Sequence, residues 1–300
     1  MSAAPQLRRL TRFSLNTADI SGLTDFYRQA FGCTLLGVED WRGAGFEAAL
    51  GMVGGARRAL LALGEERIEL LEFDVAGASY PAEVAASDLR FQHCALVVAD
   101  IGAAFRQLSR MTGWRAISIG GPQRLPPNTG GVSAFKFRDP EGHPLELLAF
   151  ASERVPQKWR RRSAHALCWG IDHSAITVAD SARSIAFYES LGLEVIGSSH
   201  NHGPEQARLD GLSAPEVEVT ALAPSAGGPH VELLCYRGAA DDSADRSCAA
   251  QSQSRPLRIN DIAATRLVFQ CASEANASAE GRTLTDPDGH RLLLLSDQNG

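Results

Sequence analysis

Nowhere in this chain do two cysteines stand in a CxxC pair, although there are six, at positions 33, 94, 168, 235, 248 and 271. That scatter excludes a Cys-rich zinc site and argues against a disulfide framework; it suits free thiols in a reducing compartment. Cys94 and Cys235 sit inside apolar runs and read as core. No apolar run approaches the roughly 18 residues of a membrane span. Arg8 and Arg9 precede no long apolar run, so the start does not read as a secretory signal. A cytoplasmic protein without a membrane partner is expected. Excess positive charge is also missing: the formal net charge of −6 argues against nucleic acid or an anionic surface as partner. The basic run Lys158 to Arg162 reads as a solvated linker face. What remains, 44% apolar and 21% charged over 300 residues, reads as a soluble globular chain of two ordinary domains or one larger one.

The stretch from Asp139 to Phe150 organises the rest. Asp139-Pro140-Glu141-Gly142 is a turn, with Pro presetting φ and Gly supplying a positive φ. The run behind it reads as a strand with Glu146 on the face of Leu148 and Phe150. A carboxylate on a half-buried strand costs several kcal/mol unless it is compensated. Asp286 to Leu293 repeats the turn and strand without the Glu, and Ile68-Glu69-Leu70-Leu71 and Val231-Glu232-Leu233-Leu234 repeat the strand with it. Four such strands mark an internal repeat.

The repeat unit is β-α-β-β-β. In the first unit, residues 8–75, Phe13, Leu15 and Thr17 alternate with polar neighbours in a strand, and Leu23, Phe26, Tyr27, Ala30 and Phe31 form the apolar stripe of a helix ended by Gly32. Strands are expected at Cys33–Glu39, Phe46–Met52 and Ala59–Phe73, the last broken at Gly64. Residues 91–150 repeat the unit, with a Gly/Pro-rich loop at 120–131 long enough for a lid. A linker covers 151–169, a third unit 170–237, and a second linker, poor in apolar residues, 238–257. Residues 198–206 read as a polar loop. The last unit, 258–297, is too short for a helix and all its strands.

Units whose first strands close near Ala-Asp, whose last strands read ELL or LLL, with Asp-Pro-x-Gly-His turns and Phe-Tyr pairs at 26–27 and 187–188, resemble the vicinal oxygen chelate superfamily. This is the group of glyoxalase I, extradiol dioxygenases and bleomycin-resistance proteins. The resemblance implies an α+β fold of four βαβββ-type modules, the fourth truncated with its helix lost, forming two cupped sheets. In that family a His or Gln of each first strand and a Glu of each last strand point into the cup as metal ligands. Aligning first strands on Asp19, Asp100 and Asp180 puts Arg12, His93 and His173 at the ligand position, with Arg266 in the fourth module; the last-strand position holds Glu69, Glu146, Glu232 and Leu293. Two pairings are open. If the second and third modules share a cup, one site is complete and the other is lost; if modules pair in sequence order, neither is complete. The first is favoured because it makes ligand loss and retention systematic.

The resemblance therefore implies one divalent ion, of Fe, Mn, Ni, Co or Zn, on His93, Glu146, His173 and Glu232. Two imidazoles and two carboxylates suit any of these and select none. They leave open positions for two vicinal oxygens of a small substrate. Glu146 and Glu232 are candidate catalytic bases for a proton alpha to a carbonyl. Tyr236, on the strand face of Glu232, and His202 and Gln206 in the polar loop beside His200, are candidate substrate contacts; His143 and His290 read as structural. Arg12 with Glu69 reads as an ion pair in a metal-free cup. Glyoxalase- or epimerase-like proton transfer leads, with an extradiol dioxygenase and a metal-free small-molecule binder as alternatives, in a monomer or homodimer.

Overall fold

The Asp that closes each first strand does a defined job: it caps the helix that follows. In a computed structural model of the chain, which describes residues 5–163, 166–237, 256–272 and 281–296, Asp19 Oδ1 accepts from Gly22 N at 2.9 Å, Asp100 Oδ1 from Ala103 N at 3.0 Å and Asp180 Oδ1 from Arg183 N at 2.9 Å. Each satisfies an amide that the helix start leaves without an intrahelical partner.

The elements follow in order β1 (Leu7–Asn16), α1 (Ile20–Phe31), β2 (Thr34–Arg42), α2 (Ala44–Leu50), β3 (Gly55–Leu63) and β4 (Glu66–Phe73); then β5 (Gln92–Val98), α3 (Ile101–Leu108), β6 (Arg115–Ala116), β7 (Gln123–Arg124), β8 (Ser133–Arg138) and β9 (Pro144–Ala149). The second half holds β10 (Cys168–Thr177), α4 (Ser181–Ser190), β11 (Leu193–Asn201), α5 (Pro204–Asp210), β12 (Glu216–Pro224) and β13 (His230–Arg237), and ends with β14 (Arg266–Cys271), β15 (Arg282–Thr285) and β16 (Arg291–Ser296). These α+β elements form two sheets. One runs β15-β16-β14-β1-β4-β3-β2; the other runs β11-β12-β13-β10-β5-β9-β8-β6, with β7 paired to β8. Residues 92–149 thus share a sheet with 168–237, and residues 7–73 with 266–296, which excludes pairing in sequence order. Among the described residues of the last unit there is no helix; residues 273–280, and nearly all of the expected linker at 238–257, lie outside the description. Among the described residues no helix is long and apolar enough to cross a membrane.

The repeated turns lock the two sheets together. Asp139 Oδ1 accepts from the amides of Glu141, Gly142 and His143 at 2.9–3.0 Å, while Oδ2 takes the Tyr27 hydroxyl of α1 at 3.1 Å. Asp286 does the same for Asp288 N and His290 N, both at 2.9 Å, and for the Tyr188 hydroxyl of α4 at 3.1 Å. The Phe-Tyr pair and the Asp-Pro-x-Gly-His turn are therefore two halves of one buried contact. His143, with Nδ1 at 2.8 Å from Asp139, and His290, with Nε2 at 2.8 Å from Thr177 O, belong to these turns. One continuous core, including Phe13, Tyr27 and Leu70 from one sheet's side and Leu96, Phe137 and Ile176 from the other's, fills the space between.

Three expectations are corrected. Phe46–Met52 is not a strand: α2 covers it through Leu50, with Gly43 (φ 79°) before and Gly51 (φ 66°) after in conformations only glycine adopts cheaply. The polar loop at 198–206 is the end of β11 and the start of α5, which has the same seven-residue length and the same glycine ends, Gly203 (φ 93°) and Gly211 (φ 65°). Cys235 is buried as expected but is disulfide-bonded, whereas Cys33, Cys94 and Cys168 are free thiols.

Candidate metal centre

The register of the second sheet brings the four expected ligands onto one face. His173 stands opposite Ala95 and His93 opposite Ala175 across β10 and β5. Glu146 is beside Ala95 in β9, and Glu232 beside Ala175 in β13. Alternation puts all four on the concave side, with small alanines between them leaving room. Two further residues extend the rows: Lys136 opposite Glu146 and His230 opposite His173. They line, with Gln206 and Tyr236, a cavity of about 200 Å³.

One donor atom each of His93, Glu146 and His173 lie within 4.8 Å of one another. The His93 and His173 rings are 5.9 Å apart between centroids. His93 Nε2 is 2.8 Å from Glu146 Oε2, but off line, so neither nitrogen of this fully buried imidazole has a hydrogen-bond partner. Burial pushes the His93 pKa down, leaving it neutral. For Glu146 burial works toward protonation, but His93, Lys136 and His173 outweigh it and hold the pKa down. With the imidazole proton on Nδ1, His93 Nε2 and Glu146 Oε2 would present two lone pairs to one point, an arrangement completed by a cation. The set fits a divalent ion on those grounds.

His173 is oriented from behind. Its Nδ1 lies 3.2 Å from Asp172 Oδ2, and its Nε2 lies 3.5 Å from Glu232 Oε2. Burial alone would lower its pKa; Glu232, Asp172 and Glu146 outweigh that and raise it to about 9. Glu232, despite burial, is drawn down to about 2 by His173 and His230, and its Oε1 is 3.4 Å from His230 Nε2. Asp172 is in turn held by Lys158 Nζ at 2.8 Å and Trp159 Nε1 at 3.4 Å. The run 158–162 is thus more than a solvated linker face, since Trp159 is fully buried behind the site.

A second polar group adjoins the first. Asp210, at the end of α5, accepts from Lys136 Nζ at 2.6 Å, Gln206 Nε2 at 2.7 Å and the Tyr236 hydroxyl at 3.0 Å. Burial works against the charge of Lys136, but Asp210, Glu146 and Glu232 outweigh it and raise the pKa, so the ammonium persists. Gln206 and Tyr236 line the cavity as expected; His202 is exposed and does not.

Comparison with known proteins gives the family and the fold. Residues 9–147 and 170–249 match the model of the Glyoxalase/Bleomycin resistance protein/Dioxygenase superfamily. The chain belongs to that superfamily. Among solved structures it is similar to a glyoxalase I mutant from Zea mays, at 17% identity and TM-score 0.57 over 96% of this chain and 94% of that one. A candidate dioxygenase from Bacillus subtilis gives 10% identity and TM-score 0.57 over 99% and 87%. At these identities the likeness is one of fold. No curated protein matches.

The other sheet carries the superfamily scaffold with a different filling. Arg266 stands opposite Ser14 and Arg12 opposite Val268, with Glu69 beside Ser14 and Leu293 beside Val268, the same register relation as His93, His173, Glu232 and Glu146, in that order. Phe46, Ala49 and Leu50 of α2 pack into this cup with Trp41, Leu71, Phe73, Val268 and Leu293. Arg12 Nη1 donates to Glu69 Oε2 at 3.2 Å, and fully buried Arg266 donates to Asn16 Oδ1 and, at 3.0 Å, to Ile259 O.

Sequence reasoning missed Lys136, Asp172, Asp210 and His230. His230 stands two residues before Glu232, where the other last strands have Arg67, Pro144 and Arg291, so the repeat gave no signal. Lys136, between Phe135 and Phe137, was visible as an oddity; its partner is 74 residues away.

Proposed function

We propose that the chain is a metal-dependent enzyme that moves a proton on a small, oxygen-rich substrate, with a divalent ion held by His93, Glu146 and His173 and with Glu232 beside them. The convergence of three buried donors, one an imidazole with no hydrogen-bond partner, carries this reading. When bound, the ion would supply Lewis acidity toward two vicinal substrate oxygens. The residues supply the rest. Asp172 holds the His173 ring so that Nε2 faces the cup, a partner that fixes the tautomer. Glu232 is the candidate base: it stays ionised, is the less buried of the two carboxylates, and His230 sits within reach to receive or steady its proton. Glu146, almost sealed from water beside Lys136, suits a fixed ligand. The apolar wall of Leu125, Val132, Leu148 and Phe150 restricts water around the reacting carbon.

A second reading, an extradiol dioxygenase, is favoured by one feature: two His and one carboxylate is the ligand set of non-haem Fe(II) oxygenases. Untagged protein, analysed for metal and then reloaded with Mn(II), Ni(II) or Fe(II), tests both. Deuterium exchange into alpha-hydroxy carbonyl compounds, lost in Glu232→Gln with metal retained, is the result expected for proton transfer. Oxygen uptake with catechols on Fe(II) alone would shift the assignment to the second reading. Protein that takes up no metal would end both.

A further inference from the structure

The two cups share one plan, so their differences can be read position by position. At the third and seventh residues of the glycine-ended helices the filled cup has Phe46 and Leu50; the open cup has Gln206 and Asp210. Four residues beyond the last-strand Glu stand Phe73 and Tyr236. Across the strand pair from Leu293 is Thr283, and across from Glu146 is Lys136. Three apolar residues and a threonine in the filled cup thus stand where the open cup has a buried polar network.

Holding α5 in place does not require that network. The filled cup holds the equivalent helix by packing Phe46 against Trp41 and Phe73, at 5.4 and 6.0 Å between ring centroids. Burying an ammonium is costly even when it is paired. Lys136 and Asp210 nevertheless have side chains only 5% and 0% exposed. Asp210 takes one of the three ammonium donors. Gln206, 4% exposed, gives its amide to Asp210, while its Oε1 is buried without a partner. Both residues line the cavity. The cavity therefore presents a cation with spare donors and an acceptor that lacks a donor.

We propose that Lys136 and Gln206 form a substrate subsite for a small hydroxylated organic acid. Lys136 binds an anionic oxygen, Gln206 Oε1 accepts from a hydroxyl, and the apolar body of the molecule lies on Leu125, Val132, Leu148 and Phe150. Asp210 is a positioning residue: it carries both side chains and ties them to α5. Tyr236 fixes Asp210 from the strand below. This deepens the reading of the same cavity as a metal-dependent site, naming its substrate class, and shares the cavity with the three ligands.

Calorimetric titration with mandelate and with 1-phenylethane-1,2-diol tests it, each on metal-free and on Mn(II)-loaded protein. The two probes share a ring and a hydroxyl and differ in the carboxylate. Wild type is expected to bind mandelate at least tenfold tighter in both forms. Lys136→Met is expected to reduce that preference at least fivefold, with Mn(II) content unchanged and with Lys136→Arg retaining part of it. Because Lys136→Met leaves Asp210 unpaired, Lys136→Met/Asp210→Asn, which removes both charges, serves as the second variant and is expected to lose the preference as well. Gln206→Met is expected to weaken mandelate but leave phenylacetate, which has no hydroxyl, unchanged. Wild type that does not distinguish mandelate from the diol, or either Lys136→Met variant keeping full preference, overturns the subsite. If metal binds normally in that case, the metal reading survives alone. If the preference is present and depends on Lys136 but no metal is taken up, the subsite stands and the metal reading falls.

Discussion

Glu69→Leu should lower stability, and the double change Glu69→Leu/Arg266→Met should restore it or exceed the wild type. Glu69 is 1% exposed and Arg266 0%. Burial lowers the Arg266 pKa from 12.5 to about 10, with Arg291 adding to the effect and Glu69 opposing it. A depression of that size corresponds to a penalty of about 3 kcal/mol on the charged form, at 1.36 kcal/mol per unit. It applies at every pH below about 10, so measurements at pH 7 carry it in full. Removing Glu69 takes away the carboxylate that offsets the buried Arg266 guanidinium, for an expected loss of up to roughly 3–5 kcal/mol. Arg12, with a fifth of its side chain exposed, can turn to water and contributes little to that loss. The double variant removes both buried charges from a cup already lined by Phe46, Leu71, Phe73, Val268 and Leu293. It should match wild type or exceed it by about 1–4 kcal/mol. Urea unfolding at pH 7 reads both, provided the denaturant slope is unchanged. A double variant as unstable as the single would refute the account of Arg266. Loss of bound metal from the single variant would show that the metal site had been assigned to the wrong cup.

In metal-free protein His173, raised to about 9, contributes stability that is complete below about pH 6.5 and lost as pH rises through 9, worth on the order of 3 kcal/mol. Glu232, drawn down to about 2, contributes above about pH 4.5 and loses its part as pH falls toward 2. Chelated protein melted across pH 4–10 should therefore weaken on the alkaline side, and a flat profile from pH 6 to 10 would show that His173 is not held as a cation. In the β3–β4 turn, Gly64 has φ 62°, and a methyl there would meet Trp169 O at 2.2 Å. Gly64→Ala should cost roughly 1–3 kcal/mol, and an unchanged thermal midpoint would show that the turn does not approach β10 so closely.

The parts of the molecule that were legible in the sequence are those where local chemistry repeats. Asp19, Asp100 and Asp180 announce a strand end and a helix cap together, and the Asp139 and Asp286 turns announce the last strands. The four register positions followed from aligning them. Two short helices escaped because Phe46-Glu47-Ala48-Ala49-Leu50 satisfies a buried strand as well as one helical turn and a half; only Gly43 and Gly51 decide it, through a positive φ that the letters do not display. Asp210 and Lys136 escaped for a different reason. Their burial makes sense only once α5 lies over β8, and no pattern within either segment encodes that contact.

The paired glycine-ended helices also give the two halves of the molecule different ways of breathing. Lifting α2 would strip Phe46, Ala49 and Leu50 out of an apolar nest, with nothing in water to replace what is lost. Lifting α5 breaks the Ser118 Oγ and Ile119 N bonds to its carbonyls, both 2.8 Å, and the two bonds to Asp210 from Lys136 and Tyr236, each of which a water molecule can take over. Amide protons in α5 should therefore exchange through small local openings, while those in α2 wait for the whole sheet to unravel. One cup works as ballast, and the other can open and close against it.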